Sequence, residues 1–317
     1  MTANPMQIAT LRWYSALQTS AVVRVAQGSV PTGVAFDGVN VWVANYGFNT
    51  VTKFAASSGA ILDTFSLGGV CSGPTAVAYD GFLIWVANYK SNNVIWMTTD
   101  GTILGSVVVG TTPSWLAFDG SNMWVANYNS NTVMPLAAGI GPSIGPPGYA
   151  PGSVINTVNV GTNPSGMAFD GTNIWVTNQG SDNVIVILAA TGAIQNTFPV
   201  GPPLLGSSYG PSAIAFDGTH MWITNSNTNT VVRMALNGTI VKTCATGSYP
   251  NAVAFDGTNI WTANFGDNIS PGTVTKLLAS TGAILGTYTV GIAPAGVAFD
   301  GVNIWVPNEG SDSISKL

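Results

Sequence analysis

An eighteen-residue pattern recurs seven times along this chain. Val34–Val51 reads VAFDGVNVWVANYGFNTV, and close copies begin at Val77, Leu116, Met167, Ile214, Val253 and Val297. Each copy carries one tryptophan at the same place: Trp42, Trp85, Trp124, Trp175, Trp222, Trp261 and Trp305. Consecutive members of that series lie between 39 and 51 residues apart. One copy cannot bury its apolar face alone, so the copies must pack on each other. Seven units of this length predict a propeller of four-stranded blades rather than a solenoid of repeats of about 20–35 residues.

Each copy parses into four strands. The first follows a proline (Pro31, Pro74, Pro113, Pro164, Pro211, Pro250, Pro294) and is of the type GVAF. An Asp-Gly pair then marks a hairpin, because glycine adopts positive φ without a Cβ clash. The second strand is of the type NIWVAN, alternating at period two. A turn rich in Tyr, Gly, Ser and Asn leads to a third strand such as NTVTKF, and a fourth such as ILDTFSLG follows. The chain stops after SISKL, a third strand, while AVVRVA (Ala21–Ala26) precedes the first full copy as a fourth strand would. The expected fold is therefore all-β: a seven-bladed β-propeller of four-stranded antiparallel blades, closed by an N-terminal strand completing the last blade. Closure removes a free sheet edge. The propeller spans residues 21–317, and residues 1–20 form an N-terminal segment outside this scheme.

Two stretches depart from the repeat. Ala137–Ser153, AAGIGPSIGPPGYAPGS, is too rich in Gly and Pro for regular structure and is expected to protrude as a loop. Gly201–Gly210, GPPLLGSSYG, is a smaller insertion. Insertions in repeat folds map to loops.

Composition narrows the partners. Hydrophobic residues make up 46% of the chain, enough for a large core, while charged residues make up only 7%, against roughly 25% in ordinary soluble domains. The net charge is -5, and the eight Lys and Arg residues are scattered. Nucleic acid needs several cations on one face, and an anionic membrane surface needs the same, so neither is an expected partner. No apolar run is long enough to predict a membrane span. The N-terminal stretch lacks a basic start followed by a long apolar run, so it does not read as a signal peptide. The two cysteines, Cys71 and Cys244, lie three or more repeats apart and are not expected to pair. Asn237 and Asn268 head N-x-S/T sequons, which matter only in a host that glycosylates.

The repeated pattern P-x-G-V-A-F-D-G-x-N-I-W-V-A-N-x-x-S-N-T-V resembles the repeat of the YVTN family of propellers. Its layout is also similar to the NHL repeat and to the streptogramin (virginiamycin B) lyase propellers. The resemblance covers about residues 21–317 and implies the propeller fold. The lyase resemblance implies a histidine and magnesium-binding glutamates on one face. This chain has a single histidine, His220, and a single glutamate, Glu309. His220 falls in the hairpin between first and second strands, and Glu309 falls after a second strand, so the two are expected on opposite faces. Most of that constellation is missing.

Residues repeated in every copy build blades. The Asp of each Asp-Gly pair is expected to accept hydrogen bonds from its own turn. The Asn ending each second strand (Asn45, Asn88, Asn127, Asn178, Asn225, Asn264, Asn308) is expected to bridge adjacent turns through its amide. No nucleophile motif accompanies His220, and one histidine does not make a His-based zinc site, so no catalytic residue and no metal ligand is assigned. The position after the repeated Asn varies: Tyr46, Tyr89, Tyr128, Gln179, Ser226, Phe265 and Glu309. Trp115 follows the proline of its repeat, in or near the same rim. Aromatic rings beside amides suit sugar rings or peptide side chains. Tyr46, Tyr89, Tyr128, Trp115, Gln179, Phe265 and Glu309 are the ligand-binding candidates.

Three functional classes follow. The first is a non-catalytic binding or structural module, extracellular or on a cell surface, recognising a glycan, a peptide or a partner protein without a cofactor. The second is a lyase-type or other metal-assisted propeller enzyme, for which Asp267, Glu309 and Asp312 would gather around Mg²⁺ or Ca²⁺. The third is a self-assembling surface component, since few charges mean little repulsion between copies.

Overall fold

The computed structural model describes residues 21–69, 71–138, 150–201 and 210–317. Seven four-stranded antiparallel sheets form a ring. Blade 1 is typical: Pro31–Phe36, Asn40–Asn45, Thr50–Ala55 and Ile61–Ser66. Blade 7 joins the two ends of the chain. Ala21–Arg24 pairs with Ser313–Lys316, placing Ala21 opposite Lys316 and Arg24 opposite Ser313. The predicted closure is therefore present. The N-terminal segment 1–20 lies outside the described residues, as do most of the two insertions. Beside the larger insertion, the fourth strand of blade 3 is reduced to Val158–Asn159, and Val154 bridges to Leu136.

The core lies between blades. Trp42 of blade 1 packs with Val77, Ile84 and Val86 of blade 2, and Trp305 of blade 7 packs with Val41, Val43 and Phe54 of blade 1. The alternation read in NIWVAN is therefore a two-sided burial. The residues after its first Asn are buried in every blade, as central strands require. Fourth strands lie outermost and leave apolar pairs in solvent, among them Leu62 at 54% and Leu285 at 52% exposure.

Each Asp-Gly aspartate fixes its tryptophan. Asp37 Oδ1 accepts the N–H groups of Val39 and Asn40 at 2.8 and 2.6 Å, as expected of an Asx-type turn. Its Oδ2 accepts the indole N–H of Trp42 at 2.7 Å. The indole bond recurs from Asp80 to Trp85, Asp119 to Trp124, Asp170 to Trp175, Asp217 to Trp222, Asp256 to Trp261 and Asp300 to Trp305, at 2.7–2.8 Å. Four of these tryptophans also carry a cation over the ring: Lys53 on Trp42, Arg233 on Trp222, Lys276 on Trp261 and Lys316 on Trp305. Half of the eight cations in the sequence thus serve blade packing.

The repeated Asn acts differently from expectation. In five blades its Nδ2 ties the second strand to the third within one blade, as in Asn45 to Thr50 and Thr52 and Asn308 to Ser313 and Ser315. In those five it bonds within its own blade rather than to a neighbouring one. The reason is register: Asn45 pairs with Thr50, so its carboxamide lies over the hydroxyl column of the third strand.

Cys71 and Cys244 are buried free thiols. No helix among the described residues is long and apolar enough to cross a membrane.

Candidate functional site

The link into each first strand holds an unusual backbone. The residue before the proline has positive φ in all seven blades: Val30, Gly73, Thr112, Asn163, Gly210, Tyr249 and Ala293, between 51° and 66°. For the β-branched Val30 and Thr112 this conformation is strained, by about 1–3 kcal/mol each. Two hydrogen bonds hold it in six of the seven links. The N–H of the strained residue donates to a side-chain oxygen of the preceding blade: Thr112 to Asn92 Oδ1 at 2.8 Å, Asn163 to Asn131 Oδ1 at 2.9 Å, Tyr249 to Asn229 Oδ1 at 2.9 Å. Its carbonyl accepts the N–H of the residue after the repeated Asn, as Thr112 does from Tyr128 at 3.0 Å.

That second bond builds the rim. The N–H groups of Tyr46, Tyr89, Tyr128, Gln179, Ser226, Phe265 and Glu309 all donate to the link of their own blade, at 2.8–3.0 Å. The variable position therefore forms one ring on one face, with its side chains half-buried except for the buried Ser226.

Blades 1 to 4 carry an arc of two contacting pairs. The rings of Tyr46 and Tyr89 meet edge to face at 6.3 Å between centroids. Lys90 Nζ lies 4.3 Å from the centre of the Tyr46 ring. The Tyr128 hydroxyl donates to Gln179 Oε1 at 2.7 Å. Burial, and next the neighbouring Tyr89, push the Tyr128 phenol above its ordinary pKa. Phe265 and Glu309 hold the same position in blades 6 and 7, away from this arc except that ring order sets Glu309 beside Tyr46. Burial pushes the Glu309 carboxyl up from the usual range. Lys90 was not among the sequence candidates. Its signal was available, because no other copy has a cation one residue after the variable position.

Trp115 departs from the rim. It lies on the inner strand Pro113–Phe118 opposite Ala126, one pair in from the level of Asn127. Its indole N–H donates to Met167 O of the next blade at 3.1 Å. It lines a cavity of about 220 Å³ walled by first strands of blades 1, 2, 3 and 7.

The lyase-type constellation does not assemble. His220 begins a second strand opposite Ala235, whereas Ser226, the blade 5 counterpart of Glu309, follows the other end of that strand. The two sit on opposite faces, as expected. His220 Nδ1 is 3.1 Å from Arg233 Nη2 and 3.9 Å from Asp217 Oδ1. Asp267 is bound into its own loop by Ile269 and Ser270, and Asp312 accepts backbone N–H groups of Gly28 and Val30. Among the described residues no group of three His, Cys, Asp or Glu side chains converges. The residues present do not fit a magnesium site made of rim glutamates.

No family model and no curated protein matches the chain in sequence. Solved structures do match in shape. A streptogramin B lyase superposes with a TM-score of 0.73 at 18% identity, over 94% of this chain and 97% of that one. A catalytically inactive histidine-to-alanine variant of virginiamycin B lyase from Staphylococcus aureus, solved with quinupristin, gives 0.76 at 20%, over 94% and 98%. The hydrazine synthase of Kuenenia stuttgartiensis gives 0.71 at 16%, over 95% and 98%. Proteins of such different activity share this fold, so the likeness is one of fold: this chain is a seven-bladed β-propeller of the architecture that the streptogramin lyases also use.

Proposed function

We propose that this propeller is a non-catalytic binding module whose ligand rests on the arc of Tyr46, Tyr89, Tyr128 and Gln179. The observation that carries this reading is the contrast within one ring. Seven positions share one backbone hydrogen bond, yet only blades 1 to 4 fill them with touching rings and an amide. A purely structural position would repeat one residue, as the Asp-Gly aspartate does. Half-buried tyrosines beside an amide and one ammonium offer flat apolar area with hydrogen bonding. That chemistry suits a glycan above all, and also a peptide or a partner protein. An extracellular or cell-surface setting agrees with a surface polar through Asn, Ser and Thr rather than through charge.

A thermal-shift and calorimetric screen against glycans, divalent metals and virginiamycin B tests the reading. A glycan that raises the melting temperature of the wild type, and fails to do so in Tyr46→Ala/Tyr89→Ala/Tyr128→Ala, supports it. A metal or antibiotic shift indifferent to those tyrosines overturns it and favours a lyase-type enzyme.

A second reading, self-association, rests on the outermost strands. Ile61 and Leu62, Ile103 and Leu104, and Ile284 and Leu285 are each at least 40% exposed, and exposed apolar edges recruit other chains. Light scattering across concentration distinguishes a monomeric binder from an assembling one.

A further inference from the structure

The second residue after the proline of each copy lies on the inner strand, one pair in from the proline in blades 2, 3, 4 and 6. It is Gly33, Ala76, Trp115, Gly166, Ala213, Ala252 and Gly296. Six are Gly or Ala, and one is the largest side chain available. Trp115 reaches across: it packs against the apolar cluster of blades 3 and 4 and also against that of blades 5 and 6. At three of the small positions the next blade comes too close for a side chain: a Cβ on Gly33, Gly166 or Gly296 would lie 2.5–2.8 Å from its backbone. A cavity of about 220 Å³ remains beside the Trp115 indole, against blades 1, 2, 3 and 7.

The cavity wall has a definite chemistry. None of its lining residues is ionisable. Its apolar side is the indole with Val34, Val77 and Leu116. Its polar side is the hydroxyls of Thr32, Thr75 and Ser114, and each has already committed its one hydrogen. Thr32 Oγ1 donates to Pro74 O at 3.1 Å, Thr75 Oγ1 to Pro113 O at 3.1 Å and Ser114 Oγ to Pro164 O at 3.2 Å. What these hydroxyls still offer is lone pairs, so a guest must bring donors. A charge would be buried here without a partner.

We propose that this axial cavity is a binding site for a small, uncharged, polyhydroxylated ring of monosaccharide size, stacked on Trp115 and donating hydroxyl hydrogens to Thr32, Thr75 and Ser114. The site is separate from the tyrosine arc and does not rest on it.

The test is isothermal titration and tryptophan fluorescence of the full chain with methyl glucopyranoside, N-acetylglucosamine, glucuronate and toluene. The expected result is saturable binding of a neutral pyranoside, with glucuronate at least tenfold weaker. Trp115→Ala should lower the affinity at least tenfold. That variant makes blade 3 resemble the blades that carry Ala76, Ala213 and Ala252, so the fold tolerates it. Ala295→Leu, which fills the cavity from blade 7, should abolish binding with Trp115 intact. The tyrosine triple variant should bind these monosaccharides as the wild type does, so the fate of the rim reading is decided separately. Absence of saturable binding by either neutral sugar, wild-type affinity in Trp115→Ala, or tighter binding of glucuronate or toluene than of the neutral sugars would overturn the proposal.

Discussion

Asp312 Oδ1 accepts the backbone N–H of Val30 at 2.9 Å, across 282 residues of chain. Its Oδ2 accepts the N–H of Gly28 at 2.8 Å. Both bonds cross the seam where blade 7 meets blade 1. The amide clasps elsewhere use one oxygen on one N–H, as in Asn49 with Gly73 and Asn92 with Thr112, both at 2.8 Å. The seam is thus held by a carboxylate with two donors where these amide junctions have one.

Asp312→Ala should therefore destabilise the protein more than Asn49→Ala does. The expected losses are about 2 kcal/mol and about 1 kcal/mol, because a charged acceptor with two donors, one of them exposed, is still worth more than a neutral one with one. Chemical denaturation gives the values. Hydrogen exchange at Gly28 and Val30 should accelerate in Asp312→Ala and stay slow in Asn49→Ala. Equal losses in the two variants would contradict a special role for the seam.

The acid limb of stability should be set by the Asp-Gly turns. For Asp37, Asp170, Asp256 and Asp300, burial works against the charge, and hydrogen bonds from the turn N–H groups and the tryptophan indole outweigh it. Their carboxyls titrate below the ordinary value of about 4. A group depressed on folding stabilises the native state above its unfolded pKa, and that contribution is lost as pH falls through the folded pKa. Urea midpoints should fall steeply below about pH 4. Asp170→Asn should soften that fall while lowering the midpoint at pH 7.

Glu309 has the opposite sign. Burial raises its carboxyl, so its contribution is complete below the ordinary value and is lost as pH rises through the folded one. Glu309→Gln should raise the melting temperature at pH 7 and leave it unchanged at pH 3.5. A lower melting temperature at pH 7 would point to an unrecognised cationic partner.

Buried amides offer a fourth measurement. Asn45, Asn88, Asn127, Asn178 and Asn308 leave Oδ1 without a protein partner, whereas Asn264 Oδ1 accepts the hydroxyl of Thr262 at 3.2 Å. The other blades have Val or Ile at the Thr262 position. Val43→Thr copies this arrangement under Asn45 and should cost less than about 1 kcal/mol. Val41→Thr, on the same strand but four residues from Asn45, should cost about 1–3 kcal/mol because its hydroxyl is buried unpaired. Denaturation of the two variants side by side decides it.

Much of this was legible in the residues. Trp42 and its six counterparts announced the blade number, because each blade must bury the same large ring against the next. The Asp-Gly turns were legible because glycine at positive φ and a short acidic side chain are local requirements, met within four residues. The variable rim was also legible, since the repeat fixes which position faces which end.

Other features depended on where blades meet. Nothing local requires the residue before each proline to adopt positive φ, and Val30 and Thr112 oppose it. At six of the seven links the preceding blade clasps the N–H of that residue, through Asn49, Asn92, Asn131, Asp182, Asn229 and Asp312. Trp115 read as a rim residue because sequence gives distance along a strand but not distance from an axis. Only ring closure brought its indole to Met167 and left a cavity beside it. By itself, then, the sequence determined the blade, its turns and its count, all consequences of patterns within one repeat. The tertiary structure decided the strained links, the seam at Asp312 and the axial cavity, because those arise from contacts between repeats that no single repeat encodes.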